Sequence, residues 1–578
     1  MACKTKDNSE HKSHSDILIE LGMSHIKTFF VDQYKEPYVQ TSDGLIYKIN
    51  SIDFERWLGG FYYASEDKGC DKTSIKTACD TLSAHAIHQG AGEIPLHCRV
   101  ARHDGALFYD LGDHERCAIR ITPQGWDVTK EVPILFRRYR NQAPQIVPIC
   151  DGDVREFLRF INVKDQHTQL LILVWIIASY IPDFPHPILI VHGSQGSAKS
   201  SFCRYLKGLI DPGVCSTESI SRKDDELVRK LHNQWISVFD NINKINQSQS
   251  DYLCRAVTGD GYSARALYTD NEEFMLKFQR VIVLNGINIC AISPDILDRS
   301  IIVELDRIPS EQRKTEDLLN EKYKRALPGI LGGVLDILSK AVALYPEVKG
   351  KLKNLPRMAD FAMWGFAIAE ALGGYGDDFL KAYHSNIGLQ HETVIDSHPV
   401  AQALIKFMED KGEWKGYPGE LLQELTKSAN ELGINTNHFS WPKQPNYLTK
   451  RINELKATLK DTGIQEITSK HTAFGNHITI SKPKSTMKVM KVNEDNDDLS
   501  KLAPEANLEG NEGNEGAFLK KCEKENVDIV DIKVRENTFS TFIPSSSEEI
   551  SGSAPEDKHE DTSHTIQTPS SEMDYELF

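Results

Sequence analysis

The chain has 578 residues, 40% of them apolar and 26% charged, with a formal net charge of −16. That length allows three or four domains at the usual ~150 residues each, and the apolar share is enough for packed cores. Residues 491–578 alone carry 22 acidic and 8 basic side chains, so the body is close to neutral and the acidic total does not exclude nucleic-acid contacts on it.

Eleven cysteines are scattered without a C-x-x-C pair, which argues against structural zinc and for reduced thiols in the cytoplasm. The polar N-terminus has no signal-peptide pattern. The longest apolar run, residues 170–181, is shorter than the ~18–20 residues a bilayer needs. No membrane partner is expected, and the run reads as a buried helix under the strand that follows it.

In chain order, residues 1–16 are polar, with His11 and His14 in a solvated, disordered tail. Residues 17–148 read as a mixed α+β N-terminal domain. Apolar spacing predicts helices over 52–62 and 72–89, and β hairpins follow over 106–111 and 117–122, broken by turn residues. Trp126 and the run Phe136-Arg137-Arg138-Tyr139-Arg140 mix aromatics with cations. Such a mixture suits a surface that tracks a nucleic-acid strand, though a basic stripe before a domain boundary is more often a plain solvated face.

Residues 149–309 form the expected α/β core, with helices over 154–161 and 165–180. The stretch 187–201, PILIVHGSQGSAKSS, reads as strand, glycine-rich loop and helix, the pattern of a P-loop of Walker A type. Backbone N–H groups of Gly193, Ser194, Gln195, Gly196, Ser197, Ala198, Lys199, Ser200 and Ser201 would cradle phosphates at a helix N-terminus. Lys199 would reach the β- and γ-phosphates of ATP, and Ser200 would ligate Mg²⁺. Ala198 stands where the motif favours glycine.

Further strands are expected over 214–217, 235–239, 280–284 and 300–305, alternating with helices in a parallel sheet. Ligands of such sheets sit at the carboxyl ends of the strands. Asp240, ending WISVFD, would organise Mg²⁺. The next position, where many ATPases carry a second carboxylate, is Asn241, a poor proton acceptor. Asn285 could sense the γ-phosphate, or close a turn with Gly286. Arg299 is a candidate arginine finger, or a local ion-pair partner of Asp298. Arg265, with Tyr262 and Tyr268, could reach a neighbouring subunit or DNA, or simply pack its loop.

Residues 310–390 read as a helical extension. Residues 398–481 hold three helices and a β pair, either a winged-helix unit or a helical bundle. Residues 482–578 form an acidic, disordered tail for an unknown protein partner.

In their order and compactness, GSQGSAKSS, WISVFDN, the Arg265 stretch and VIVLNGIN resemble the superfamily-three helicase branch of the AAA+ ATPases. VARHDGALFYDLGD, LCRAVTGDGYS and DILDRSIIVELDRI resemble the primase-associated, helicase-like ATP-binding proteins of bacterial and phage mobile elements. The resemblance spans roughly residues 15–480. It implies a homo-oligomer, with a hexamer-like ring possible, that hydrolyses ATP with Mg²⁺ at subunit interfaces and moves on single-stranded or duplex DNA. The alternative left open by Asn241 is an ATP-binding switch with little turnover; a small-molecule kinase fits the long C-terminal half less well. No primase carboxylate cluster stands out in residues 17–148.

Overall fold

The computed structural model describes residues 12–482 except 266–272, 287–292, 354, 438–440, 462–463, 465 and 473–474. The expected acidic tail and His11 lie outside the described residues. Ser13 caps helix His14–His25 in a reciprocal capping box with Asp16. His14, expected in a solvated tail, therefore opens a helix, and its ring shares a hydrogen bond with Tyr62 Oη. Strands Ile26–Val31, Pro37–Thr41 and Ile46–Lys48 form an antiparallel sheet. Helices Ile52–Glu66 and Lys72–Gln89 follow where the spacing predicts them. Leu18, Val39, Phe54, Leu58 and Leu82 are completely buried in a core of their own.

Four strands, Val100–His103, Ala106–Asp110, Ala118–Thr122 and Gly125–Thr129, then make an antiparallel meander. Leu107, Tyr109, Ile119 and Ile121 face the same large core that holds the parallel sheet. Packing thus runs through the boundary expected near residue 148.

The parallel sheet sets strand Ile236–Ile242 beside Val281–Gly286, then Ile188–Gly193, with Ser300–Leu305 on the outside. Ile190 aligns with both Leu284 and Ile302, and Phe239 with Leu284. The overall class is α/β, and apolar runs such as Val281-Ile282-Val283-Leu284 are buried, as strands covered on both faces must be. Residues 214–217 do not form the expected strand. Val214 is 77% exposed, and the nearby Glu218 makes one isolated bridge, to Phe239.

The 154–161 segment is a 3₁₀ helix, Val154–Phe160. Helix Gln166–Ala178 is buried over residues 170–178, in the same core as the strand that follows it. It packs against helices Glu316–Lys351, Ala359–Gly373 and Gly376–Ser397, because an all-round apolar helix needs apolar neighbours on every side. Trp175 Nε1 ties it to Pro187 O at 2.8 Å. Helix Glu316–Lys351 is the one helix among the described residues long and apolar enough to cross a membrane, and half of its apolar window is buried inside the protein.

Helix Gly376–Ser397 also covers the outer strand. Asn386 Oδ1 accepts from Ile302 N at 2.9 Å while its Nδ2 donates to Ile302 O at 2.8 Å. Gln390 Nε2 donates to Ser300 O. Two amide side chains thereby satisfy backbone groups that a further strand would otherwise have paired.

The C-terminal unit runs helix Pro399–Met408, strand Glu413–Gly416, helices Pro418–Glu431 and Pro445–Asp461, and strands Glu466–Thr472 and Gly475–Ser481. The short first strand pairs with Gly475–Ser481, which pairs with Glu466–Thr472. The order is helix, strand, helix, helix and two further strands, with one strand more than the sequence indicated.

A buried ionic network joins the meander to the sheet. Arg99, fully buried, donates to Asp211 at 2.8 Å and to the carbonyls of Asp110, Ala143 and Pro212. Asp211 also accepts from Lys207 Nζ and Trp235 N, each at 3.0 Å. Burial would raise the Asp211 pKa, but Lys207 and Arg99 hold it down at about 2. Because this is below the ~3.9 of an unfolded aspartate, its stabilisation is complete above about pH 4 and lost as pH falls towards 2. Asp211→Asn leaves two buried cations unneutralised, and removing one partner of a buried pair costs about 3 kcal/mol or more. Urea unfolding followed by circular dichroism should show that loss at pH 7, with a weaker pH dependence between 4 and 2 in the variant than in wild type.

Candidate functional site

Strand Ile188–Gly193 ends in a loop that turns into helix Lys199–Ile210. The turn needs unusual backbone. Gly193 has φ +143°, where a Cβ would lie 2.3 Å from Leu305 O, and Gly196 has φ +83°. Ala198 also adopts the left-handed region, φ 64° and ψ 27°, which costs a residue with a Cβ about 1 kcal/mol more than glycine. Ser197 is fully buried and its Oγ donates to Ser194 O at 2.9 Å. Ser194, Gln195, Gly196 and Ser200 are exposed, and Ser201 is half-buried.

Lys199 Nζ donates to Gly193 O at 2.8 Å and Ser194 O at 2.9 Å. Partial burial lowers its pKa, and the nearby Asp240 carboxylate acts in the opposite direction. The ammonium is therefore held inside the concave side of the loop.

The two neighbouring strands bring their end residues to this loop. Asn285 is 1% exposed; its Nδ2 donates to Asp240 Oδ1 at 2.5 Å and lies 3.5 Å from Ser200 Oγ. The ladder slips between Phe239 and Ile242, a bulge of the kind that re-aims side chains at sheet ends. Asn241 occupies it with φ 56°, a conformation asparagine tolerates better than most residues, and its N–H bonds Asp240 Oδ1 at 2.6 Å. Both bonds to Asp240 fall on Oδ1. Asn285 Oδ1 is buried and has no partner, and such an orphan is rare enough in folded proteins to need an explanation.

These features fit the chemistry of a nucleotide and a hard divalent cation. The loop is shaped for close approach of an anion, and Ser200 and Asp240 offer the oxygen donors that Mg²⁺ prefers. Among the described residues no group of three or more His, Cys, Asp or Glu could hold a metal by itself.

The remaining candidates sit apart from this cluster. Arg299 precedes the outer strand, whose first residue pairs with Ile188, so it lies at the amino end of the sheet while the loop lies at the carboxyl end. Its Nη1 bonds Asp295 O at 2.7 Å and Asp295 Oδ1 at 3.1 Å. Asp298, the partner suggested by sequence, instead pairs with Arg357. Arg299 cannot serve the loop of its own chain. Arg265 lies on strand Tyr262–Arg265, paired with Glu273–Leu276 as a hairpin; the tip, including Tyr268, lies outside the described residues. Tyr262, for which outward reach and loop packing were both open, packs: it is buried against Tyr252 and donates to Asp225 at 2.9 Å.

Sequence reasoning missed Arg313. A Cβ placed on Gly196 would lie 3.3 Å from Arg313 Nη2, and Ile308 N donates to Gly196 O at 3.3 Å. The segment after the outer strand thus folds back over the loop with a cation. No spacing rule announces it, and the one available signal was a lone arginine shortly after the last core strand.

Comparison with known proteins shows that parts of the chain are similar to replication proteins of mobile genetic elements. Residues 154–388 match the family model described as the actinomycete integrative conjugative element replication protein, and residues 400–495 match that of the AICE RepA C-terminal domain. No curated protein matches significantly. Two solved structures of the NrS-1 C-terminal region are similar over most of the chain. The A-form apo structure is 12% identical, with a TM-score of 0.35 over 81% of this chain and 98% of that one. An apo structure is 13% identical, with a TM-score of 0.36 over 82% and 100%. Likeness at that level carries no functional argument.

Ala198→Gly relieves the left-handed alanine and is expected to stabilise the chain by about 1 kcal/mol. Its unfolding midpoint in urea should rise; a fall would mean that the alanine methyl makes contacts worth more than the strain.

Proposed function

We propose that this replication protein is an oligomeric, Mg²⁺-dependent ATPase of the AAA+ P-loop type, helicase-like, that couples ATP hydrolysis to binding or movement on DNA. The observation that carries this reading is the Ser200, Asn285 and Asp240 cluster at the mouth of the 193–200 loop, joined through the Asn285 amide nitrogen. The strand order, with the Asn285 strand between the loop strand and the Asp240 strand, supports the same assignment.

When bound, Mg²⁺ and ATP supply the shielding cation and the electrophilic phosphorus. The loop N–H groups hold phosphate oxygens, and Lys199 leaves its carbonyl partners for the β- and γ-phosphates. Ser200 and Asp240 would hold the metal. Asn285, fixed through Asp240, would read the γ-phosphate or the attacking water with its side-chain amide. Arg313 adds positive charge at the loop in the same chain. Arg299 or Arg265 serves as a finger only across a subunit interface. The winged-helix unit, whose helix Pro445–Asp461 exposes Lys450 and Lys456, is the second element directed at DNA.

A slow, switch-like use of ATP is the second reading, favoured by Asn241 in place of a second carboxylate. Steady-state hydrolysis with and without single-stranded DNA separates the two. In the motor reading DNA raises the rate, Lys199→Ala and Asp240→Asn lower it at least ~100-fold, and chelating Mg²⁺ abolishes it. If wild type binds ATP yet turns over no faster than Lys199→Ala with or without DNA, the switch replaces the motor.

A further inference from the structure

A large cavity lies away from the loop. It has a volume of 1260 Å³, lies between the N-terminal sheet with its helix Ile52–Glu66 and the core helix Asp224–His232, and includes none of residues 193–200, Asp240 or Asn285. Eight Lys and Arg side chains line it against four carboxylates. All four carboxylates are engaged: Asp53 by Arg140 at 2.6 Å, Glu218 and Glu226 by Lys230 at 3.2 and 3.8 Å, and Asp225 by Tyr262 at 2.9 Å. Of the cations, Arg56, Arg137, Lys223 and Arg229 have no ion-pair partner among the described residues. Excess positive charge is therefore directed into the cavity.

Aromatic faces stand beside those charges. Tyr47 and Trp57, both half-buried, line one wall, with ring centroids 6.0 Å apart. Arg137 lies over the rings of Tyr38 and Tyr139, 5.4 and 4.6 Å from their centroids. Tyr38 is 2% exposed, lines the cavity, and its hydroxyl is buried without a hydrogen-bond partner. A buried, unsatisfied hydroxyl costs about 1–3 kcal/mol of desolvation, and a polar ligand group in the cavity would satisfy it.

We infer that this cavity is a binding groove for single-stranded nucleic acid, with Arg56, Arg137, Lys223 and Arg229 on the phosphates and Trp57 and Tyr47 as stacking platforms for the bases. Cations alone would suit any polyanion, including the acidic residues 491–578. The interleaved aromatics favour a strand whose bases are free to stack, which neither a duplex nor an acidic peptide provides. The inference rests on the DNA-directed part of the proposed function and not on ATP turnover. Oligonucleotide binding without nucleotide can therefore succeed where hydrolysis fails, and the reverse.

The test is fluorescence anisotropy of a labelled oligo-dT with the full chain, across a salt series and without ATP. Arg56 and Arg229 are exposed, so an Arg56→Ala/Arg229→Ala double variant keeps its fold. It should bind at least tenfold more weakly, with the log–log salt slope reduced by about 1.4, as two lost single-strand phosphate contacts require. Trp57→Leu should weaken binding about fivefold or more at an unchanged slope. Wild-type affinity and slope in the double variant would overturn the assignment. A loss confined to the arginine variant, with Trp57→Leu as wild type, overturns the single-strand reading in favour of a phosphate-only contact. Carbodiimide cross-linking supplies a second readout: a link from Lys223 to residues 491–578 that excess oligo-dT does not displace would give the groove to the tail instead.

Discussion

The structure depends on one buried charge cluster. Asp211 closes the helix that begins with Lys199, and through it that helix is bound to Arg99 at the start of the meander and to Trp235 just before the Asp240 strand. Four partners converge on one carboxylate, counting Lys207 and Ile236 N. A buried charge is tolerable only when its hydrogen-bonding capacity is filled, so the chain segments that fill it are held in one relative position. The loop, the strand carrying its metal-ligand candidate, and the meander are in this way set by a single electrostatic constraint some distance from the chemistry.

With that frame fixed, the candidate site follows from strand order. The Asn285 strand lies between the loop strand and the Asp240 strand, so its terminal side chain has both neighbours within reach and little solvent to compete. The bulge at Asp240 and Asn241 turns the carboxylate towards the loop. Substitution of a second carboxylate by Asn241 is then as much a backbone matter as a chemical one, since the position requires a positive φ.

Much of this was legible in the sequence because it is local. The loop, the helix behind it and the polar residues ending two apolar strands are each written within about ten consecutive residues, and alternation between strands and helices implied a parallel sheet. What was not legible depends on distance along the chain. Arg99 and Asp211 are 112 positions apart, and nothing near either one names the other. The groove is assembled from residues around 38–57, 137–141 and 218–234, so the run Phe136 to Arg140 looked like a basic stripe before a boundary rather than one wall of a cavity. Residues 214–217 have strand-forming composition, but Asn141 takes the N–H groups of Val214 and Cys215 that a strand partner would have taken. Glu413–Gly416 was missed for the opposite reason, being too short and polar to stand out until Gly475–Ser481 pairs with it.

The amide clamp on the outer strand has a consequence for the protein in bulk. An open β edge is a template on which another chain can add a strand, and in a sheet as apolar as this one such addition leads to aggregates. Asn386 occupies both the donor and the acceptor of Ile302, and Gln390 takes the carbonyl of Ser300, so that edge offers a second molecule little to hold. Concentrated solutions of the folded chain are protected there by two uncharged side chains, and the protection lasts only while helix Gly376–Ser397 stays docked. Loosening of that helix would turn a capped edge into a nucleus for self-association.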